Sequence, residues 1–335
     1  MRQGGLARLS GTLGQRVGVV AALWVAGSLG VALVTLWWQA QQLGGIGGIN
    51  DVLLLPALGF ALVSFTLRIA RFHLFLVALG ARVPFGASVR AQFAGFSLSM
   101  TPGKVGELYK CYLIEQRTGV PTARTAPILL FEKGMDALAF SILAVATAAI
   151  LPNIAGSINV AARSLAAVGI VLILGVLMLR AARPDQLTAW LMRVVGRNRR
   201  GRRVVELFRL TLAGGADLLK PAILGGNMAL SLVARTCDGL TLTLAAAALG
   251  VNIPALAGIF VLNSSGALGG ASMLPGGVGV VEASMSVLLA GFGASTSAAL
   301  AAALVARFLS FWLWVAIGLV VLVRTGIASD GARVS

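Results

Sequence analysis

Glu132, Lys133 and Asp136 stand inside an otherwise apolar run, residues 127–151. Ionisable groups are expensive in hydrocarbon, so a run that keeps them is expected to use them on a substrate, an ion or a proton. Glu132 and Asp136 are four residues apart and share one helix face. Such carboxylates can act as general bases, or lock the fold by pairing with Arg68 or Arg71 of the preceding apolar run. Glu107 and Glu282 each follow a Pro-Gly break, where a carboxylate binds a cationic head group, takes up a proton or pairs with a nearby arginine. Lys104 and Lys110 are candidate phosphate ligands and equally candidate interfacial anchors. Arg307 lies deep in the last apolar run and needs an anion, which Glu282, Asp238 or a lipid phosphate can supply. Arg235 and Asp238 sit where Arg68 and Arg71 sit in the first half, at an offset of 167 residues, and these four are expected to form a supporting charge network.

Other chemistries are excluded. His73 is the only histidine, so neither a His-paired nucleophile nor a multi-His zinc site can be assembled. Cys111 and Cys237 are the two cysteines and give no disulfide framework and no multi-cysteine metal site. No nucleotide-binding motif is present, and no metal or cofactor is expected.

The elements that must position these residues break in matching places. MTPGKVG, starting at Met100, recurs as MLPGGVG, starting at Met273, an offset of 173 residues. ALGARVP, starting at Ala78, recurs as ALGVNIP, starting at Ala248, an offset of 170. Each copy reads as span, ALGxxxP, short helix, MxPGxVG, short helix, span. Pro102, Gly103 and Gly106 in the first copy, and Pro275, Gly276, Gly277 and Gly279 in the second, free backbone groups that lipid cannot satisfy. Such backbone is tolerated at depth only inside protein or around a wet cavity. The helix N-termini after the breaks would present partial positive charge suited to a phosphate.

Composition sets the surroundings. Of 335 residues, 58% are hydrophobic and 11% charged, where a soluble domain carries roughly a quarter charged. The fold class is an all-α polytopic membrane protein, with about six full spans at 17–38, 52–79, 127–151, 165–179, 222–249 and 298–323 plus the broken pairs. No small-residue cleavage site follows the run 17–38, so it is expected to stay attached as the first helix. The net charge of +16 lies between apolar runs rather than in a polar domain, which excludes nucleic acid and favours anionic lipid head groups. The segment 180–220 alone holds ten Lys or Arg against three acids and is expected to be cytoplasmic. The loops 44–50, 152–159 and 251–255 lack Lys and Arg and are expected outside. On this charge pattern both termini are cytoplasmic, the first break is entered from inside and the second from outside. That is an inverted-topology repeat, unit A at about 52–151 and unit B at about 222–323, in one transmembrane domain spanning 1–335. Trp24, Trp37, Trp38, Trp312 and Trp314 are expected as bilayer anchors.

TPGKVGELYK, then FEKGMD some twenty residues later, then LPGGVGVVE in the second half, resemble the lysylphosphatidylglycerol synthase transmembrane region family. The resemblance covers most of the chain from the second span to the last. It implies a bacterial inner-membrane protein that moves lipids or lipid-linked head groups between leaflets, with membrane lipids, anionic or aminoacylated, as partners. The soluble aminoacyl-transferring domain of full-length synthases has no room after Arg324, so a transporter is expected rather than an enzyme. Two rival readings stay open: an intramembrane lipid-modifying enzyme using Glu107, Glu132 or Asp136 as base, and a non-transporting partner of such an enzyme. The sequence leaves the lipid and the oligomeric state unspecified.

Overall fold

The computed structural model describes residues 50–101, 106–151, 192–193 and 216–331. Among them there are helices and short connections and no strand. The expected spans at 17–38 and 165–179 and nearly all of the basic segment lie outside the described residues.

Two long helices form the centre, α1 (Leu54–Ala78) and α5 (Pro221–Ala248). At 25 and 28 residues each exceeds the ~20 needed to cross a bilayer core. They lie antiparallel along their whole length. Asn50 N–H donates to Ala248 O at one end (2.8 Å), and Thr241 Oγ1 donates to Ala57 O (3.2 Å). Further along, Arg71 Nη1 reaches Ser231 Oγ at 2.6 Å, and Phe72, Phe75 and Leu76 pack with Leu218 at the far end.

Both helices stop in the same way. Gly80 and Gly250 take left-handed φ of 69° and 76°. Ala81 N–H then reaches Leu76 O (3.0 Å) and Gly80 N–H reaches Val77 O (2.8 Å); Val251 and Gly250 repeat the pattern onto Ala246 O and Ala247 O. This is the Schellman ending, which satisfies carbonyls that a helix terminus leaves unpaired and needs a residue free to adopt positive φ. A proline then opens the next helix in each half: Pro84 before α2 (Phe85–Ser97), Pro254 before α6 (Ala255–Ala271).

After α2 the chain breaks and resumes as α3 (Tyr109–Thr118), then α4 (Pro127–Ile150). After α6 it turns through Pro275–Gly277, resumes as α7 (Val280–Gly291), and continues as α8 (Thr296–Arg307). A π turn, Phe308–Trp312, joins α8 to α9 (Leu313–Gly331). The two halves therefore present the same element order, and they exchange partners: α2 packs on α9, and α6 packs on α4. Alanines 298, 299, 301, 302, 303 and 306 of α8 are all buried, the small-residue surface that lets helices approach closely where lipid supplies no hydrophobic drive.

Three described helices combine the length and apolarity to cross a membrane: Asp51–Ala78, Pro221–Ala248 and Thr296–Arg324. The expected span at 127–151 is continuous as α4, 24 residues long, but carries Glu132, Lys133 and Asp136. The anchor expectation fails for two tryptophans. Trp312 and Trp314 are 2% and 4% exposed. Both sit near the middle of Thr296–Arg324 rather than at its ends. Trp312 packs with Met100, and Trp314 stacks on Phe65 at 4.6 Å between centroids. Packing at mid-depth overrides the interfacial preference of indole.

Candidate functional site

A small polar cavity, about 20 Å³, opens between α1, α2, α4 and the segment that begins α3. By that measure it accommodates a water and nothing larger. Charged side chains from α1, α4 and the start of α3 line it, with Gln92, Gly95 and Phe96 of α2 completing the wall.

Arg68 and Arg71, one turn apart on α1, project toward α4 and α5. Asp136 Oδ1 accepts from Arg71 Nη1 at 2.8 Å and pairs with Arg235 Nη2 at 3.1 Å. Asp238 is paired closely with Arg68 and with Arg235 Nη1 at 3.2 Å. Three guanidinium groups thus share two carboxylates. Arg235 also lies over the Phe140 ring at 4.3 Å, a cation–π contact that partly replaces lost hydration.

Lys110 sits on α3, pressed against α2 at Gly95, where a Cβ would fall 2.8 Å from Lys110 Cβ. Its ammonium is paired closely with Glu132, donates to Gln92 Oε1 at 3.2 Å and lies 4.4 Å over Phe72. Lys110 and Glu132 are each 2% exposed. Glu107, in the turn before α3, is held by Lys133 Nζ at 2.7 and 2.8 Å to its two oxygens. Lys133 is the open rim of the cluster, with 41% of its side chain exposed.

The second break carries its own pair. Arg307 Nε donates to Glu282 Oε1 (2.8 Å) and Arg307 Nη2 to Gly276 O (2.8 Å), while the guanidinium lies 4.2 Å over Phe311. Glu282 Oε2 accepts from Gly279 N–H at 2.8 Å. The N-terminus of α7 is therefore filled by the protein's own carboxylate, and that carboxylate by Arg307. Gly276 takes φ of 61°, and a Cβ there would fall 2.5 Å from Met100 Sδ. The two breaks meet at this contact: Met100 belongs to the first motif and Gly276 to the second. Gly277 and Gly279 also take positive φ, 68° and 82°. In the first break, Thr101 Oγ1 donates to Leu98 O (2.8 Å) and accepts from Gly106 N–H (2.8 Å), tying the two sides together. Pro102, Gly103 and Lys104 lie outside the described residues.

Glu107, Lys110, Glu132, Lys133 and Asp136 thus come together with Arg68 and Arg71 around one cavity, and Arg235 with Asp238 stand directly behind it. Glu282 and Arg307 form a separate cluster at the second break. Sequence reasoning missed Gln92, the amide of the apolar α2, and the rings Phe72, Phe140 and Phe311. Phe140 and Phe311 lie four residues after Asp136 and Arg307, a helical spacing that could have suggested them.

A helical membrane protein with opposite charges paired at depth around a polar cavity is the class these features define. Within that class, residues 12–318 match the family model described as the lysylphosphatidylglycerol synthase TM region, and the chain belongs to that family. Its membership points to a membrane-lipid-related role. No curated protein matches the chain.

Proposed function

We propose that this protein translocates a lipid or lipid-linked head group between leaflets of the bacterial inner membrane. The observation that carries this reading is the charged cavity bounded by α1, α2, α4 and the start of α3. Ionisable residues at membrane depth are by default read as marking a substrate or ion path. Two further features support it. The matching helices α1 and α5 run antiparallel, the relation expected of equivalent elements in an inverted-topology repeat. Each half also contains a helix pair interrupted by a glycine-containing break, the kind of backbone that membranes tolerate around substrate sites.

At about 20 Å³ the cavity corresponds to a closed state. Opening requires the ion pairs across it to exchange partners, with the head group taking over charges that now hold one another. The broken pairs enter from opposite sides, and rocking one repeat against the other opens the cavity to each leaflet in turn. We read the carboxylates as gating and binding groups rather than catalytic bases, since each is tied to a cation.

Proteoliposomes carrying tail-labelled fluorescent phospholipid test the reading. Reduction of outer-leaflet fluorophore should proceed well beyond the half accessible in protein-free vesicles. A plateau at the protein-free level, with correctly folded protein in the vesicles, would reject translocation.

A further inference from the structure

Two of the ion pairs occupy matching places in the two halves. Glu107 follows the first break and is held by Lys133 of α4; Glu282 follows the second and is held by Arg307 of α8. The acids are 175 residues apart and the cations 174, close to the 173 that separates the break motifs. Each pair ties the residues after a break to the helix beyond the short one, across 26 residues in the first half and 25 in the second.

The two pairs are not equally shut. Arg307 has 9% of its side chain exposed and makes three contacts, to Glu282 and Gly276 O at 2.8 Å each and to the Phe311 ring at 4.2 Å. Lys133 lines the cavity with 41% of its side chain exposed, and its one acceptor among the described residues is Glu107. The difference has a chemical cause. A guanidinium bonds two oxygens at once and lies on a ring, whereas an ammonium is a point charge on a flexible stem. Ala137 stands where Phe311 stands, at the same 174-residue offset, so the first half has no ring four residues beyond its cation.

We infer that Glu107–Lys133 and Glu282–Arg307 are the matched gates of the proposed repeat, closed in turn, and that the structure shows the second gate shut and the first accessible. The inference rests on the proposed alternating access and adds the bonds that govern it. The cation exposed at the accessible gate is the one that the phosphate of a lipid head group meets. In the opposite state Lys133 is buried on Glu107, and Arg307 becomes the exposed cation. Closing one gate and opening the other is then a single equilibrium, biased toward the present state by the contacts of Arg307 with Gly276 and Phe311.

Chemical modification of the full-length protein in detergent reads both gates without transport. Acetylation of Lys133 by a water-soluble ester, located by mass spectrometry, reports the first. Ser310→Cys, three residues beyond Arg307 at the half-buried counterpart of Asp136, reports the second by its rate of maleimide alkylation, with Cys111 and Cys237 replaced by alanine. In the native background Lys133 should be acetylated readily and the Ser310→Cys thiol should react slowly. Arg307→Lys keeps the charge that pairs with Glu282 and gives up the carbonyl and ring contacts. It should speed alkylation of Ser310→Cys at least about tenfold and slow acetylation of Lys133 by a similar factor. Lys133→Arg, at the rim where the longer group has room, strengthens the first gate and should speed the same alkylation from a distance. These distant effects are what a merely local role cannot produce. If either is missing in a variant that keeps its melting temperature, the two pairs act independently and the inference is overturned. Should Arg307→Lys not fold, Lys133→Arg decides alone. Coupled gates without lipid translocation in vesicles remove the flippase reading and leave the gates standing; translocation with uncoupled gates does the reverse.

Discussion

Arg71 and Arg235 hold the same atom, Oδ1 of Asp136, at 2.8 and 3.1 Å. The proposed repeat would account for an acid from a third helix being needed there. Arg68 matches Arg235 and Arg71 matches Asp238 at the 167-residue offset. Pairing across α1 and α5 therefore gives one favourable contact, Arg68 with Asp238, and one that brings Arg71 toward Arg235. Asp136 from α4 turns that second, like-charged approach into a bridge.

Asp136→Asn should consequently be among the most damaging conservative changes in the chain. It keeps the shape and leaves two buried guanidinium groups facing each other, at a cost of about 3–5 kcal/mol. A large fall in melting temperature in detergent is expected. Arg235→Gln in the Asp136→Asn background should recover a substantial part of it, since it removes the repulsion. Failure of the double variant to recover would mean that Asp136 is not what separates these charges.

Arg307→Ala should destabilise by several kcal/mol, because Glu282 is then left buried beside an apolar wall with only the Gly279 N–H for company. Glu282→Gln alongside it should restore most of that stability, as the amide keeps the hydrogen bond from Gly279. Thermal unfolding of the two single variants and the double decides the matter. A stable Arg307→Ala that has lost only lipid binding would instead assign Arg307 to the substrate.

Gly276→Ala should cost about 1–3 kcal/mol from its left-handed φ alone. A further penalty comes from the 2.5 Å approach to Met100 Sδ. Met100→Ala in the same chain should relieve the second term and not the first, giving partial recovery in melting temperature. Full recovery would show that backbone strain at the second break is negligible.

How much of this was legible in the sequence depended on the kind of signal. The breaks, the matching ALGxxxP motifs and the charged face of α4 were readable because proline, glycine and ionisable residues carry strong local physics in an apolar chain. Pairing was not readable. Glu132 and Asp136 share a helix face, yet one turns to Lys110 and the other to Arg71 and Arg235. That choice is made by α3 pressing against α2 at Gly95, a long-range contact that no local pattern encodes. Trp312 and Trp314 went astray for the same reason: indole preference is an average over positions, and the stacking partner Phe65 lies on α1. The π turn after Arg307 had no sequence signature at all.

Charge placement gives an expected orientation in the membrane, and the antiparallel α1 and α5 allow a sharp check. The Asn50–Ala248 hydrogen bond puts the start of α1 and the end of α5 at the same face of the bundle. In the sequence, 44–50 and 251–255 lack Lys and Arg, whereas 180–220 is rich in them. The positive-inside rule sends the first two outward and the third into the cytoplasm. Both native cysteines, Cys111 and Cys237, are buried, so their replacement by alanine provides a clean background. In intact cells, Asn252→Cys should react with a membrane-impermeant maleimide, because Asn252 is exposed. Arg200→Cys should react only after the cells are permeabilised. Labelling at position 200 from outside would reverse the expected topology, and labelling at both positions without permeabilisation would remove the inverted arrangement on which the proposed alternating access depends.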